Sequence, residues 1–111
     1  MNNDEFRKVV NQQLDFCKSL LLKKGDEYSS QDDQDRFHSF NVASELIGCD
    51  KKKALAGMMV KHTISIYDMC QGGDYSYERW EEKITDHINY LLLLRAMIEE
   101  ETNEKYSSES A

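Results

Sequence analysis

The sequence predicts an all-α protein, a compact bundle of four main helices with an acidic loop between the first and the second. Three observations lead there. Apolar residues recur at spacings of three and four along most of the chain, the period of an amphipathic helix. None of the 111 residues is proline, so no position forbids a helix interior. Gly25, Gly48 and the Gly72-Gly73 pair close the periodic stretches, where helices are expected to stop.

The first helix is expected to start after Asn2 or Asn3, either of which can cap it, with Asp4 and Glu5 placed for the helix dipole. Phe6, Val9, Val10, Leu14, Cys17, Leu20 and Leu21 form its apolar stripe, and Gly25 is its expected stop. Asp26 to Asp35, DEYSSQDDQD, then holds five acids in ten residues. A connection of that length is often functional. Asp32, Asp33 and Asp35 are oxygen ligands suited to Mg²⁺ or Ca²⁺, although their spacing is not that of an EF-hand. The alternative is that Asp33 or Asp35 caps the next helix and the others are solvated.

The second helix is expected from Arg36 to Ile47, with Phe37, Phe40, Ala43 and Ile47 inward and Gly48 closing it. Asp50 then caps a third helix running to about Cys70. Leu55, Met58, Met59, His62, Ile66 and Met69 make one face of it, and Val60, Ile64 and Tyr67 a second, which marks the helix as central. Gly57 would let a neighbour approach closely. His62 lies on the main apolar face, where a histidine is more often a hydrogen-bonded core residue than a ligand; Lys61 beside it must snorkel out or meet an acid such as Glu82 or Asp86.

The last helix is expected from Tyr75 to Glu100, capped by Asp74 or Ser76. At about 100° per residue, Tyr77, Trp80, Ile84, Ile88, Leu91, Leu94 and Ile98 share one broad apolar side, the expected core face. Glu82, Asp86 and Asn89 stack on the opposite side, and that line continues into Leu93 and Met97. Carboxylates on a line that turns apolar suggest a cleft, and a solvated stripe is the alternative. The first 101 residues form one domain, and the polar tail, 102–111, is expected to fray.

Composition narrows the function. With 14 Lys and Arg against 21 Asp and Glu the net charge is −7, the wrong sign for a phosphate-tracking nucleic-acid binder. No run reaches the roughly 20 apolar residues that cross a bilayer, and the first residues lack an apolar signal core, so a cytoplasmic protein is expected. Cys17, Cys49 and Cys70 are too widely spaced for a zinc site and are expected as small buried residues. A chain this short has a small core, which makes a homo-oligomer a reasonable expectation.

The stretches KKGDEYSSQDDQDRFHSFNVA, ALAGMMVKHTISIYDM and EEKITDHINYLLLL resemble a family of small all-α proteins of bacteriophages and prophages, across most of the chain. More distantly, an early Glu27-Tyr28, the Lys61-His62 pair on a middle helix and Glu82, Asp86, Asn89 and Tyr90 on the last are similar to the MazG and dimeric dUTPase type of all-α nucleotide pyrophosphatases. The acids here are spaced ExxxD where that superfamily has ExxD, and its earlier ExxE pair is absent. The resemblance implies a Mg²⁺-dependent nucleotide pyrophosphohydrolase in the cytoplasm of a bacterial host. Glu82, Asp86 and Lys61 would then be catalytic, Tyr28, Phe40, His62 and Asn89 would bind the nucleotide, and Glu27, Asp33, Asp35, Glu82 and Asp86 would hold the metal. The competing expectation is a non-enzymatic phage protein that acts on a host or phage protein, or a structural module that forms oligomers.

Overall fold

A computed structural model describes residues 1–29 and 36–109, with the backbone alone at 24–29 and 107–109. It is the expected all-α bundle: α1 is Asn3–Ser29, α2 His38–Ile47, α3 Lys51–Gln71 and α4 Tyr77–Glu109. Local chemistry sets most of the ends. The Glu5 N–H donates to Asn2 Oδ1 at 2.9 Å and the Asn2 N–H returns to Glu5 Oε2 at 3.1 Å, a reciprocal capping box. The Lys53 N–H donates to Asp50 Oδ1 at 2.9 Å to start α3, and the Arg79 N–H to Ser76 Oγ at 3.1 Å to start α4. At the end of α2, Gly48 takes the left-handed φ of 78° and its N–H reaches the Ser44 carbonyl at 2.9 Å; a side chain at that φ is strained.

Two helices are longer than their sequence signals. The first runs through Gly25 to Ser29, because one glycine costs a helix only about 1 kcal/mol relative to alanine and no proline follows to enforce a stop. At the other end α4 continues past Glu101 to Glu109: Glu, Lys and Asn are polar without being helix breakers, and the Thr102 hydroxyl donates back to the Ile98 carbonyl at 2.9 Å. The second helix begins on Phe37 with no side-chain cap, and Asp33 and Asp35, the expected caps, lie outside the described residues.

The α4 helix is the hub. Its N-terminal half runs beside α1, tied by the Gln13 amide donating to Thr85 Oγ1 at 2.8 Å. On its other flank α3 returns antiparallel, joined by Thr63 Oγ1 and His87 Nε2 at 3.0 Å and by the Lys51–Glu100 and Lys52–Glu101 pairs. The α2 helix lies on α3 and sends Phe37 and Phe40 into a core shared with Leu55 and Met97, edged by Met58, Tyr90, Leu93 and Leu94. At about 1.5 Å per residue α4 alone spans about 50 Å, which accounts for the 53 Å long axis of the molecule.

The inward side of α4 is not the expected one. Thr85, Asn89 and Met97 are buried, whereas Tyr77, Leu91 and Ile98 are exposed and Trp80, Ile84 and Ile88 only half-covered. Val60, Ile64 and Tyr67, the second face that marked α3 as central, are exposed too, as is Ile47. No neighbouring atom comes within 4 Å of a Cβ built on Gly57, so no close approach occurs there within the chain. Of the three cysteines only Cys17 is buried; Cys49 sits half-covered between α2 and α3 and Cys70 is exposed in the last turn of α3.

Two outcomes follow from this packing. Leu55 is fully buried, so Leu55→Ala should lower the unfolding free energy by about 2–5 kcal/mol in urea titration. The Asp50 carboxyl is held below its ordinary 3.8 by the Lys53 N–H and, less strongly, by the Lys53 and Lys52 charges. Its folded-state value is depressed, so its contribution is present above pH 3.8 and lost as acid titrates the folded form. Asp50→Asn keeps a capping oxygen without titrating, and its urea midpoint should fall less on acidification through that range than that of the parent chain.

Candidate functional site

Four of the residues singled out in the sequence meet at one place. A cavity of about 320 Å³ between α2, α3 and α4 is lined by Phe40, His62, Asp86 and Asn89, together with Leu21, Arg36, Ser39, Met58, Tyr90 and Leu93. Helix periodicity gathers them. On α4, Asp86, Asn89, Tyr90 and Leu93 fall at i, i+3, i+4 and i+7, one side of the helix, and on α3 Met58 and His62 are one turn apart. Leu21 comes from α1, and Arg36 from the turn before α2, where its guanidinium donates to the Leu21 carbonyl at 2.7 Å.

Three of the ten lining residues, Phe40, His62 and Tyr90, bring rings to the wall of the cavity. Tyr90 stands between two rings, edge-on to Phe40 at 6.4 Å and tilted against His62 at 4.9 Å. Such contacts fix Tyr90 and leave a flat apolar surface beside polar groups. Two of those polar groups lack partners: Asn89 Oδ1 and His62 Nδ1 are both buried without a hydrogen bond. Asn89 is only 7% exposed. Buried polar atoms are nearly always paired, and an unpaired one costs about 1–3 kcal/mol. His62 therefore departs from the hydrogen-bonded core histidine that its place on α3 suggested. Both residues line the same cavity, which makes its wall a candidate ligand site.

The remaining candidates are placed differently. Glu82 is exposed one turn before Asp86 and lines a second hollow of about 340 Å³ against α1, with Lys23, Glu78, Glu81, Thr85 and Asp86 on its walls. Asp86 borders both spaces. Lys61 is exposed and lines neither cavity, having taken the solvent route and left both acids without it. The side chains of Glu27 and Tyr28, at the end of α1, and the whole of Asp33 and Asp35 lie outside the described residues. Among the described residues no three His, Cys, Asp or Glu side chains gather to hold a metal ion. Glu82 and Asp86 give two carboxylates on one helix edge, with Glu78 and Glu81 on the walls of the same hollow.

Sequence reasoning missed Arg36 and Tyr90 as site residues. Tyr90 was within reach, since it stands four residues after Asp86 on the same side of α4. Arg36 carries no periodic signal; only the meeting of the α1 end with the α2 start brings it to the cavity. No family model, curated protein or solved structure matches the chain.

An amide oxygen left unpaired in a core costs stability. Asn89→Leu should therefore raise the unfolding free energy by about 1 kcal/mol in urea titration, while removing the cavity's most deeply buried polar contact.

Proposed function

We propose that the protein is a nucleotide-binding module whose base site is the cavity between α2, α3 and α4. The observation that carries this is the pairing of two buried, unpartnered polar atoms, Asn89 Oδ1 and His62 Nδ1, with the Phe40 and Tyr90 rings in one cavity. A planar heterocycle supplies an apolar face for the rings and edge groups for Asn89 and His62. Arg36 gives the site a cation for phosphate oxygens, the role first expected of Lys61. Asp86, on the wall shared by the two spaces, leads from the base site toward Glu82.

Magnesium-dependent pyrophosphohydrolysis is the catalytic form of this reading, in keeping with the resemblance to MazG-type enzymes and to phage proteins acting in the cytoplasm of a bacterial host. In that form Glu82 and Asp86 would hold the Mg²⁺ with an acid from Glu27, Asp33 or Asp35, as the resemblance implies. The alternative, a non-enzymatic phage protein that acts on another protein, is favoured by the number of large apolar residues left exposed on α1, α3 and α4. The chain's small core also fits assembly into a homo-oligomer. No helix among the described residues is long and apolar enough to cross a membrane.

Isothermal titration with nucleoside mono- and triphosphates, with and without Mg²⁺, tests the reading. Saturable binding is expected, weakened about tenfold or more by Asn89→Ala, the loss of one hydrogen bond to a buried group. Glu82→Gln should leave binding of a monophosphate without Mg²⁺ unchanged and reduce only the Mg²⁺-dependent part. No heat with any nucleotide, with or without the ion, overturns the proposal in favour of the protein-binding alternative.

A further inference from the structure

The polar groups that α4 brings to the cavity are acceptors, and that narrows what the cavity takes. Asn89 Oδ1 is buried with no hydrogen bond, and an amide oxygen only accepts. Asp86 stands three residues before Asn89 on the same side of α4 and lines the same cavity. It is half-buried and takes part in none of the ion pairs among the described residues. An ionised carboxylate also only accepts. On α3, His62 Nδ1 is likewise buried without a partner, and a neutral imidazole nitrogen donates or accepts according to its tautomer. Arg36, the guanidinium on the wall, is exposed and already donates to the Leu21 carbonyl at 2.7 Å.

A ligand that fills this cavity is therefore selected by its N–H groups. The nucleic-acid bases differ in how many donors stand side by side on one edge. Guanine carries two, a ring N–H and the exocyclic amino group beside it, followed by a carbonyl. Adenine and cytosine each carry one amino group next to an unprotonated ring nitrogen, and uracil and thymine one ring N–H between two carbonyls. Set against two acceptors on one side of a helix, each of those four brings a lone pair to Asn89 Oδ1 or to the Asp86 carboxylate. Acceptors left facing each other go unsatisfied, which is costly away from water. Guanine meets both with donors and keeps its carbonyl for His62. The Phe40 and Tyr90 rings take the face of any base and so do not discriminate. Discrimination falls to the polar edge, because a site built to bond N–H groups rejects analogues that lack them far more strongly than an apolar wall does.

We infer that the cavity selects guanine nucleotides, the ring N–H and amino group donating to Asn89 Oδ1 and the Asp86 carboxylate and the carbonyl accepting from His62 Nδ1. The inference rests on the reading of this cavity as a base site and adds which base it takes. A carboxylate has two oxygens and about four lone-pair sites, so this contact leaves Asp86 able to serve the second hollow, which it also borders.

Isothermal titration of the full chain with the monophosphates of guanosine, inosine, adenosine, uridine and cytidine, without Mg²⁺, is the test. The inosine compound is the guanosine compound without its amino group. Guanosine monophosphate should bind tightest and inosine monophosphate about tenfold or more weaker, the loss of one hydrogen bond to a charged acceptor. The other three should be weaker still. Asp86→Ala should weaken the guanosine compound to the level of the inosine one and change the latter little, bringing their ratio to about one. A merely structural role for Asp86 would weaken both alike. Alanine is a strong helix former, and Asp86→Asn, of the same shape, is the second variant should the first lose helicity; it should narrow the same ratio. Saturable binding in which any of the other four compounds equals guanosine monophosphate overturns the inference and leaves the nucleotide reading standing. A ratio unmoved by either variant overturns it in the same way. No heat with any of the five overturns both together.

Discussion

One helix serves three neighbours in this fold, and its rotation about its own axis sets what each of them meets. The α4 helix touches α1 on one flank and α3 on the other and closes the aromatic core beneath α2 with Met97, Leu93 and Tyr90. That rotation is fixed at the two ends by different chemistry. Near Thr85 the Gln13 amide holds α1 by hydrogen bonding. Near Glu100 two lysines at the start of α3 hold the other end, and Lys51 also lies over the Phe37 ring at 5.2 Å. Ion pairs this exposed contribute little to stability by themselves. Their effect is on register, because a turn of α4 in either direction would withdraw Met97 from Leu55 and Phe40, where most of the apolar burial lies.

The register also explains why a polar residue occupies an interior position. Thr85, Asn89, Leu93 and Met97 follow one another at intervals of four, so a helix that buries Met97 and Leu93 must carry Asn89 inward as well. Thr85 is satisfied across the α1 seam. Asn89 Oδ1 is not, and neither is His62 Nδ1 on the facing helix. An apolar residue at position 89 would pack without that cost, so packing alone does not call for the amide.

Helix number, order and most caps could be read from the sequence, since Asn2, Gly48, Asp50 and Ser76 act through neighbours within a few positions. Helix length was less legible: Gly25 and the polar tail after Glu101 weaken a helix without forbidding it. The core face of α4 was misread for a physical reason. Periodicity reports that Tyr77, Ile84, Ile88, Leu91 and Ile98 share a side, but it does not say whether that side meets the same chain or another surface. Of the line of Glu82, Asp86 and Asn89 that suggested a cleft, Asp86 and Asn89 line a cavity with His62 and Phe40, while Glu82 lies outside it. Arg36 and the displacement of Lys61 depend on how α1 meets α2 and on the rotation of α3, which no local spacing encodes.

The cavity and the open apolar face are therefore two consequences of one choice. Asn89 lines the cavity, and Ile88 and Leu91, its near neighbours in sequence, lie on the outer line with Tyr77, Ile84 and Ile98. A rotation of α4 by a fraction of a turn would move both surfaces together, burying more of Leu91 only by drawing Asn89 out of the cavity. The single chain resolves this in favour of the cavity: it keeps Asn89 and Met97 inside and leaves the outer line uncovered. A helix with two apolar sides and only three companions can be completed in no other way without a further element.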